Sequence, residues 1–485
     1  MAATVAALAA AVALHTAIVT TDQAVLRAAP RDSAPQQAQL WQGEALEVRG
    51  EALDYLQVWD HARERGGYVK ATQVRRSALA AADAPDLLAV LRFVREAPGA
   101  ESLGIGIAAA WLQAAPAESV RGPQGAEALD ALGTFANRLA QRASDGTGAS
   151  RQAQVALSAH LEVAGRYGLK FASYEQDGRM RICYDGDAFR RVLALPATPE
   201  QKARAALALT QPECLDPALA PLQRYERDRW RADVLERVDV AALPPHVKHR
   251  VALRRASVWS TLAYGQVRLT VGNGGTAAER AVAELASVQR GELTEDDQPA
   301  YNDAAMRVGA SRWAAVALAP AVPAGTRPAV VTQPGQPGET CVLLVDAKHD
   351  ASKPLAKRCT YALVWLQSVS VNREGNAVAL AVQPLEAWRE LWLFRQQGGR
   401  WAIDVLPPAG LQPGAGYAEF AGWVPGGKQV LVAREARGEG RYRRSYEVVG
   451  LDSLATQRQT GEPGLLGPFQ RWQDPAWMRM SVAAR

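Results

Sequence analysis

Residues 24–74 have the sequence AVLRAAPRDSAPQQAQLWQGEALEVRGEALDYLQVWDHARERGGYVKATQV, in which short strand-like runs alternate with turn residues. Its runs of about five residues put β-branched or aromatic side chains at alternate positions, and Gly, Pro or Asp separates one run from the next. A period of two is typical of strands that bury one face. The segment therefore predicts a small antiparallel barrel or sheet, covering about a tenth of the chain.

Four short motifs follow one another within this segment. They are Asn-Val-Arg-x-Gly-Pro at 25–30, hydrophobic-Lys-Gly at 40–43, Gly-Trp-x-x-Val at 54–58 and Gly-Trp-Val at 67–69, each matched in part. The first motif keeps its arginine and proline, whereas Val25 and Ala29 replace its asparagine and glycine. In this order and spacing the motifs resemble the bacterial Src-homology-3 type domain, here over residues 18–75.

This resemblance implies a small β-barrel that contacts cell-wall peptides or another protein segment. On that basis Arg27, Tyr55, Trp59 and Tyr68 are candidate ligand-binding residues. A rigid aromatic face gains contact area with little loss of side-chain entropy, which suits tyrosine and tryptophan to a peptide groove. The alternative is that these aromatic side chains fill the barrel, as aromatic residues commonly do.

The composition is that of an ordinary globular protein. A chain of 485 residues is long enough for about three domains of roughly 150 residues each. The hydrophobic fraction is 48%, and 55 Lys and Arg stand against 50 Asp and Glu, which leaves a net charge of +5. So small an excess argues against a dedicated nucleic-acid-binding protein, which would cluster basic residues on one face.

The N-terminus resembles the apolar part of a secretory signal peptide. It begins MAATVAALAAAVAL, carries no charge and contains an A-x-A cleavage pattern at 11–13, so we predict a signal-like segment over 1–17. The usual Lys or Arg near the start is missing, and a short buried helix is the alternative. The run is shorter than the roughly 20 residues of a membrane span. We therefore expect a periplasmic or secreted protein with no transmembrane span in the mature chain.

The four cysteines fall into two separated pairs. They are Cys183, Cys214, Cys341 and Cys359. An even number agrees with disulfides in an exported protein; of the three possible connectivities, pairing within each region is the simplest. Zinc would need closer spacing such as Cys-x-x-Cys, which is absent, so no metal ligands are predicted.

The region from 79 to 320 has mainly helical periodicity. Helices are predicted over 84–98, 125–143, 152–167, 219–240 and 245–269, and a hairpin over 171–184 with its turn at 177–178. Thr198 with Gln201, and Thr276 with Glu279, have the spacing of helix-capping boxes. The charge-rich stretch 224–231 predicts a solvated helix face carrying ion pairs.

A Pro- and Gly-rich linker is predicted over 321–340, followed by a β domain over 341–485. Residues 371–380 and 423–432 share a strand, a glycine-containing turn and a second strand, and a further hairpin follows each. This layout resembles the β-propeller repeats of TolB-like proteins. A domain of this length allows only about three blades, so an open β-sandwich is equally consistent.

No catalytic constellation is visible in the sequence. Residues 104–109 weakly resemble a dinucleotide-binding motif, but close helix packing explains the glycines better. His246 and His249 lie three residues apart without an identifiable third ligand, so both are predicted to lie on the surface. The acidic pair at 296–297 is better explained by a helix cap than by glycosidase chemistry.

These observations predict a multidomain α+β protein: a small N-terminal Src-homology-3-like β-barrel over 18–78, a mainly helical middle domain, and a C-terminal all-β domain. The predicted function is that of an exported, non-enzymatic binding or scaffold protein of the cell envelope, contacting peptidoglycan peptides or an envelope protein. No catalytic residue, cofactor or nucleic-acid partner is predicted. The alternative is a cell-wall hydrolase, or an activator of one, that uses the barrel as a targeting module.

Overall fold

The chain folds into a mixed α+β structure with 42% helix and 31% strand. A computed structural model describes residues 15–146, 150–176, 178–318, 327–410, 414–438 and 441–480. The chain divides into two compact units, residues 1–218 and residues 219–485. This division falls inside the predicted helical region, so each unit combines helices with a β-sheet.

The first unit begins with a seven-stranded sheet. Its strands are β1 (His15–Val19), β2 (Ala24–Arg27), β3 (Gln36–Leu40), β4 (Ala45–Ala52), β5 (Tyr55–Asp60), β6 (Arg65–Lys70) and β7 (Val74–Ser77). The strand order is β3-β2-β6-β5-β4-β1-β7, and all described pairs are antiparallel. No pairing joins the end strands β3 and β7 among the residues described, so this part of the chain forms an N-terminal antiparallel sheet and not a closed barrel.

The sheet starts inside the predicted signal-like segment. Residues 15–17 belong to β1, where Ala17 is fully buried. The cleavage pattern at 11–13 and the rest of residues 1–14 lie outside the described residues. Ala17 packs in a core formed by one face of the sheet, with Leu26, Leu46, Leu56 and Val69.

Seven α-helices and a hairpin follow the sheet within the described residues of the first unit. They are α1 (Ala84–Arg95), α2 (Glu101–Ala114), α3 (Ala117–Arg121), α4 (Pro123–Asp145), α5 (Arg151–Arg166), β8 (Phe171–Gln176), β9 (Arg179–Tyr184), α6 (Asp187–Ala194) and α7 (Pro199–Leu209). Helices α2 and α4 pack closely, because a Cβ at Gly104 would lie 2.3 Å from the ring of Phe135. This contact confirms close helix packing as the reason for the glycine at 104.

The turn between β3 and β4 packs tightly against the helices. Gly43 has a φ of +83°, and a Cβ at this position would lie 2.2 Å from the carbonyl oxygen of Ser102 in α2. The Ser102 hydroxyl donates to the carbonyl of Gln42 (2.6 Å), and the Tyr167 hydroxyl donates to the carbonyl of Gly43 (2.6 Å). The sheet and the helices of this unit therefore share one packed junction.

The second unit contains six helices and eleven strands within the described ranges. They are α8 (Pro221–Glu236), α9 (Pro245–Arg268), α10 (Gly275–Ala286), α11 (Gln298–Ser311), β10 (Ala329–Pro334), β11 (Thr340–Val345), β12 (Ala356–Thr360), β13 (Leu363–Val371), β14 (Ala377–Leu385), β15 (Trp388–Gln397), β16 (Arg400–Leu406), β17 (Ala415–Val424), β18 (Gln429–Gly438), β19 (Arg441–Gly450), β20 (Thr456–Thr460), α12 (Gly467–Trp472) and α13 (Pro475–Met480). Part of the predicted linker is therefore strand β10, and residues 321–326 lie outside the description.

Two sheets form the C-terminal all-β region. Strands β10, β11 and β12 make a three-stranded sheet, and an eight-stranded sheet has the order β13-β14-β15-β17-β18-β19-β20 with β16 paired to β15. Val342 and Leu344 of the small sheet pack in one cluster with Leu380 and Trp392 of the large one. The two predicted strand-turn-strand repeats correspond to β13–β14 and β17–β18, which belong to the same sheet.

Polar side chains connect the helices of this unit to its sheet. Glu386, between β14 and β15, accepts hydrogen bonds from Thr261 of α9 (2.8 Å) and Arg307 of α11 (2.9 Å).

Asp228 and Arg231 of α8 are buried and form an ion pair with each other at 2.7 Å. The prediction of a solvated face over 224–231 is therefore wrong for these two residues.

Both disulfides join cysteines of the same region, Cys183 with Cys214 and Cys341 with Cys359. The second bond links directly paired residues of β11 and β12. Disulfides form and persist in oxidising compartments, so they are compatible with a secreted or periplasmic protein. None of the helices in the described ranges is both long and apolar enough to cross a membrane.

Removing the Cys183–Cys214 bond should lower the free energy of unfolding by about 3.7 kcal/mol, because a closed loop restricts the unfolded chain. The Cys183→Ala/Cys214→Ala variant can be compared with the parent by urea denaturation. The Cys341→Ala/Cys359→Ala variant opens a loop of 18 instead of 31 residues, so its loss should be about 0.5 kcal/mol smaller. Unchanged unfolding midpoints in both variants would contradict the expected contribution.

Candidate functional site

Strand alternation in β5 separates a core face of the N-terminal sheet from an outer face. Leu56 and Val58 are buried in the core of this sheet. Because successive side chains of a strand point to opposite faces, Tyr55 and Trp59 lie on the other side. Neither aromatic residue belongs to the core cluster, so they do not fill the interior of the sheet.

Strand register brings the remaining candidates to the same face. Arg27 of β2 is paired with Tyr68 of β6, which is paired in turn with Gln57 of β5. Directly paired residues project from the same side of a sheet, so these three side chains form a row across three strands. We call the face formed by Arg27, Tyr55, Gln57, Trp59 and Tyr68 the outer face. The structure thus brings together all four candidates that were named from the sequence.

A loop between β2 and β3 covers one end of the outer face. Asp32 in this loop accepts a hydrogen bond from the Tyr55 hydroxyl at 2.7 Å and forms an ion pair with Lys70 at 2.8 Å. The Arg27 guanidinium donates to the carbonyl oxygen of Ala34 in the same loop at 3.0 Å. Tyr55 is consequently only 2% exposed. Arg27 and Tyr55 therefore hold the loop against the sheet.

The charges around Asp32 stabilise one another. The hydrogen bond from Lys70, assisted by that from Tyr55, holds the pKa of Asp32 below its ordinary value. The same ion pair raises the pKa of Lys70. Burial and the hydrogen bond to Asp32 raise the pKa of the Tyr55 hydroxyl, which stays a neutral donor at neutral pH. The covered end of the outer face thus keeps its hydrogen bonds across the physiological range.

The other end of the outer face leaves aromatic surface available. Trp59 and Tyr68 are half-buried, and Gln57 is exposed. Gly66 is paired with Trp59, and a Cβ at Gly66 would lie 3.3 Å from the indole ring. The Arg49 guanidinium lies 4.5 Å from the centre of the indole, a cation–π contact that limits its motion. This end can therefore offer a held aromatic platform to a ligand.

The described residues contain one group with the geometry of a metal site, formed by Glu339, Cys341 and Cys359. Its two sulfur atoms are joined in a disulfide and are not thiolates, so they cannot act as the usual cysteine ligands.

The two histidines of α9 differ in exposure. His246 is exposed, whereas His249 is buried with its Nε2 3.7 Å from a carboxylate oxygen of Glu292. The prediction that both histidines lie on the surface is therefore wrong for His249.

A second candidate site, which is concave and which the sequence did not indicate, lies within the second unit. It is a cavity of about 350 Å³ between the turn that follows α11, strands β13 and β17, and helix α13. Arg312, Trp313, Phe420 and Trp477 are among the side chains that line it. These residues come from distant parts of the chain, and no local motif marks them. Only the excess of tryptophan in the C-terminal region hinted at a built surface there.

Comparison with known proteins yields no relative of this chain. No protein-family model, no curated protein and no solved structure matches it. The resemblance to the Src-homology-3 type domain therefore stays a prediction made from the motifs in residues 24–74. Any functional proposal depends on the geometry of the two sites described above.

Proposed function

We propose that this chain is an exported, non-enzymatic binding or scaffold protein of the cell envelope. Its outer face would contact an extended peptide, either a peptidoglycan peptide or a segment of an envelope protein. The observation that carries the proposal is the common face of Arg27, Tyr55, Trp59 and Tyr68, which belong to three strands and were named from the sequence. The two disulfides support the exported compartment.

The exposed part of the outer face suits a peptide chain. Trp59 and Tyr68 offer rigid apolar surface with few rotatable bonds, which makes such residues common binding hot spots. The exposed amide of Gln57 is in the row with Tyr68 and can exchange hydrogen bonds with a peptide backbone. Aromatic contacts beside an exposed amide are a suitable arrangement for a short extended segment.

The finer fold assignments belong to the same proposal. The N-terminal sheet would be an open variant of the Src-homology-3 type barrel, with its strands β2 to β6 corresponding to the motif-bearing segments. In the C-terminal region, the packing of Val342 and Leu344 against the large sheet favours a β-sandwich over propeller blades. A sandwich presents broad faces, which is compatible with a scaffold role.

The proposal predicts that Trp59→Ala weakens binding to peptidoglycan sacculi by about tenfold, because truncating a central aromatic contact commonly costs more than 1 kcal/mol. Binding is measured as co-sedimentation of the full chain with sacculi over a range of concentrations. Phe93→Ala is the matched control, since Phe93 is an aromatic residue of the same unit that is 82% exposed on α1 and does not belong to the outer face.

Three outcomes distinguish the alternatives. Co-sedimentation that Trp59→Ala weakens and Phe93→Ala does not would support the proposal. Equal co-sedimentation of all three proteins would remove the outer face from the binding site. Release of soluble wall fragments, if a chelator stops it, would replace a binding protein with a cell-wall hydrolase.

A further inference from the structure

The cavity in the second unit contains a buried cation with unused hydrogen-bond donors. Arg312, which lines the cavity, is 5% exposed, and its Nη2 donates to Glu419. Its Nε and Nη1 have no hydrogen-bond partner among the described residues. Burial lowers the pKa of Arg312 to about 10, so the guanidinium still carries its charge at neutral pH. Unpaired donors on a buried cation are unfavourable and indicate a missing partner.

The charges around Arg312 do not balance. Arg389 is fully buried and donates to the same oxygen of Glu419 at 3.1 Å, so two guanidinium groups share one carboxylate. The neighbouring buried acid, Glu435, accepts instead from the hydroxyl groups of Tyr417 and Tyr442. The two guanidinium groups therefore exceed the one carboxylate that they share by one positive charge, which favours an anion. Asp474 and Arg479, which also line the cavity, carry opposite charges and leave this excess unchanged.

The remaining polar groups of the wall point to the same ligand chemistry. The indole nitrogens of Trp313 and Trp477 are buried donors without a described partner. The wall hydroxyl of Ser370, by contrast, already accepts from Trp423 at 3.0 Å. One acid, Asp474, lines the cavity, and its Oδ1 accepts from the backbone NH of Ala476 at 2.7 Å. Arg479 is a further cationic donor of the wall, and Gln367 adds an amide oxygen. The donors of the wall therefore exceed the acceptors of Asp474 and Gln367, so the complementary ligand is rich in acceptors.

The rest of the wall is apolar, and it includes the rings of Trp313, Phe420 and Trp477. A volume of about 350 Å³ lies at the lower end of the range of small-molecule sites. We propose that this cavity binds a small ligand with a carboxylate and an apolar or aromatic body. The carboxylate would accept from Nε and Nη1 of Arg312 and from an indole NH, while the body packs against the rings. The proposal is independent of the outer face of the first unit.

A pair of isosteric probes tests the charge requirement on the full chain. 3-Phenylpropionate should quench or shift the tryptophan fluorescence on titration, and 3-phenylpropionamide should bind at least about tenfold more weakly, because it lacks the charge. N-acetylated dipeptides ending in phenylalanine, with free or amidated C-termini, distinguish a small acid from a peptide C-terminus. Equal affinity of acid and amide, or no binding of any acid up to about 10 mM, would overturn the proposal.

Substitutions in the wall of the cavity test which residues contact the bound acid. Arg312→Met should weaken acid binding at least about tenfold, and it leaves Arg389 and Glu419 as a balanced pair, so the fold is expected to persist. Trp313→Phe keeps an aromatic ring but removes the indole NH, and it should weaken binding about threefold. Arg458→Met changes an exposed arginine of β20 and should have no effect. Unchanged affinity in both Arg312→Met and Trp313→Phe would contradict the assigned site.

Discussion

Gly43→Ala should lower the free energy of unfolding of the first unit by about 4 kcal/mol. Left-handed backbone costs an alanine about 1 kcal/mol, and Gly43 has a φ of +83°. The new Cβ would also lie 2.2 Å from the carbonyl oxygen of Ser102 and 2.7 Å from its carbonyl carbon. Both atoms belong to the backbone of α2 and cannot rotate away, so overpacking adds about 3 kcal/mol.

The chain provides a control that isolates the backbone contribution. Gly99 and Gly168 also have a φ of +83°, but a Cβ at either position would meet nothing within 4 Å. Gly99→Ala and Gly168→Ala should therefore cost only about 1 kcal/mol each. Urea denaturation of the three variants measures the difference directly. If Gly43→Ala lost no more stability than Gly99→Ala, the tight junction between the turn and α2 would be disproved.

Glu419→Gln should destabilise the second unit by about 4 kcal/mol, because it leaves the buried cations Arg312 and Arg389 without an anion. Both arginines donate to one oxygen of Glu419, and all three side chains are at least nine-tenths buried. Glutamine preserves the shape and one acceptor oxygen but removes the charge. The expected loss therefore measures electrostatic compensation more than packing.

An exposed pair and a second buried substitution control this experiment. The side chains of Glu226 and Arg229 are more than half exposed, and their charged groups lie 3.4 Å apart. Glu226→Gln should therefore change the free energy of unfolding by less than about 0.5 kcal/mol. Arg312→Met should cost less than Glu419→Gln, because it leaves one cation for one carboxylate. Thermal or urea unfolding of each variant gives the comparison. A loss below about 1 kcal/mol for Glu419→Gln would show that water or another group already compensates the arginines.

Features set by neighbouring residues were predictable from the sequence. Thr198 and Gln201 form the expected reciprocal capping box at the start of α7, with bonds of 3.2 and 2.9 Å. The predicted hairpin forms as β8 and β9, although residue 177 of its turn lies outside the described residues. The prediction that Thr276 and Glu279 form a capping box is wrong, because α10 begins at Gly275 and has Gly274 as its N-cap. A left-handed glycine there replaced the hydroxyl cap.

Burial of charged residues could not be predicted, because it depends on which elements pack together. Asp228 and Arg231 belong to a stretch that reads as a solvated face, yet α8 turns them inward. Arg312 and Arg389 are 77 positions apart, and both donate to Glu419. No sequence spacing encodes that meeting. The cavity beside Arg312 was missed for the same reason.

The outer face could be predicted from the sequence only in part. Alternation alone predicts that Tyr55 and Trp59 share a face of β5, and register extends that face to Tyr68. The cover over Tyr55 depends on Asp32, which returns to the sheet through a loop whose path no periodicity describes. The sequence therefore named four of the five residues of this face, without Gln57, but not which of them stay accessible.

The large sheet of the second unit has one junction that differs from all its others. Its described strand pairs join successive strands, except that β15 meets β17 in parallel through only two residue pairs, Trp388 with Gly416 and Arg389 with Tyr417. Hairpins close short loops at little entropic cost, whereas this junction must close a loop that contains β16. Each half of the sheet can therefore form from local pairings, and we expect the two halves to join, through Arg389 and its neighbour Trp388, among the late steps of folding.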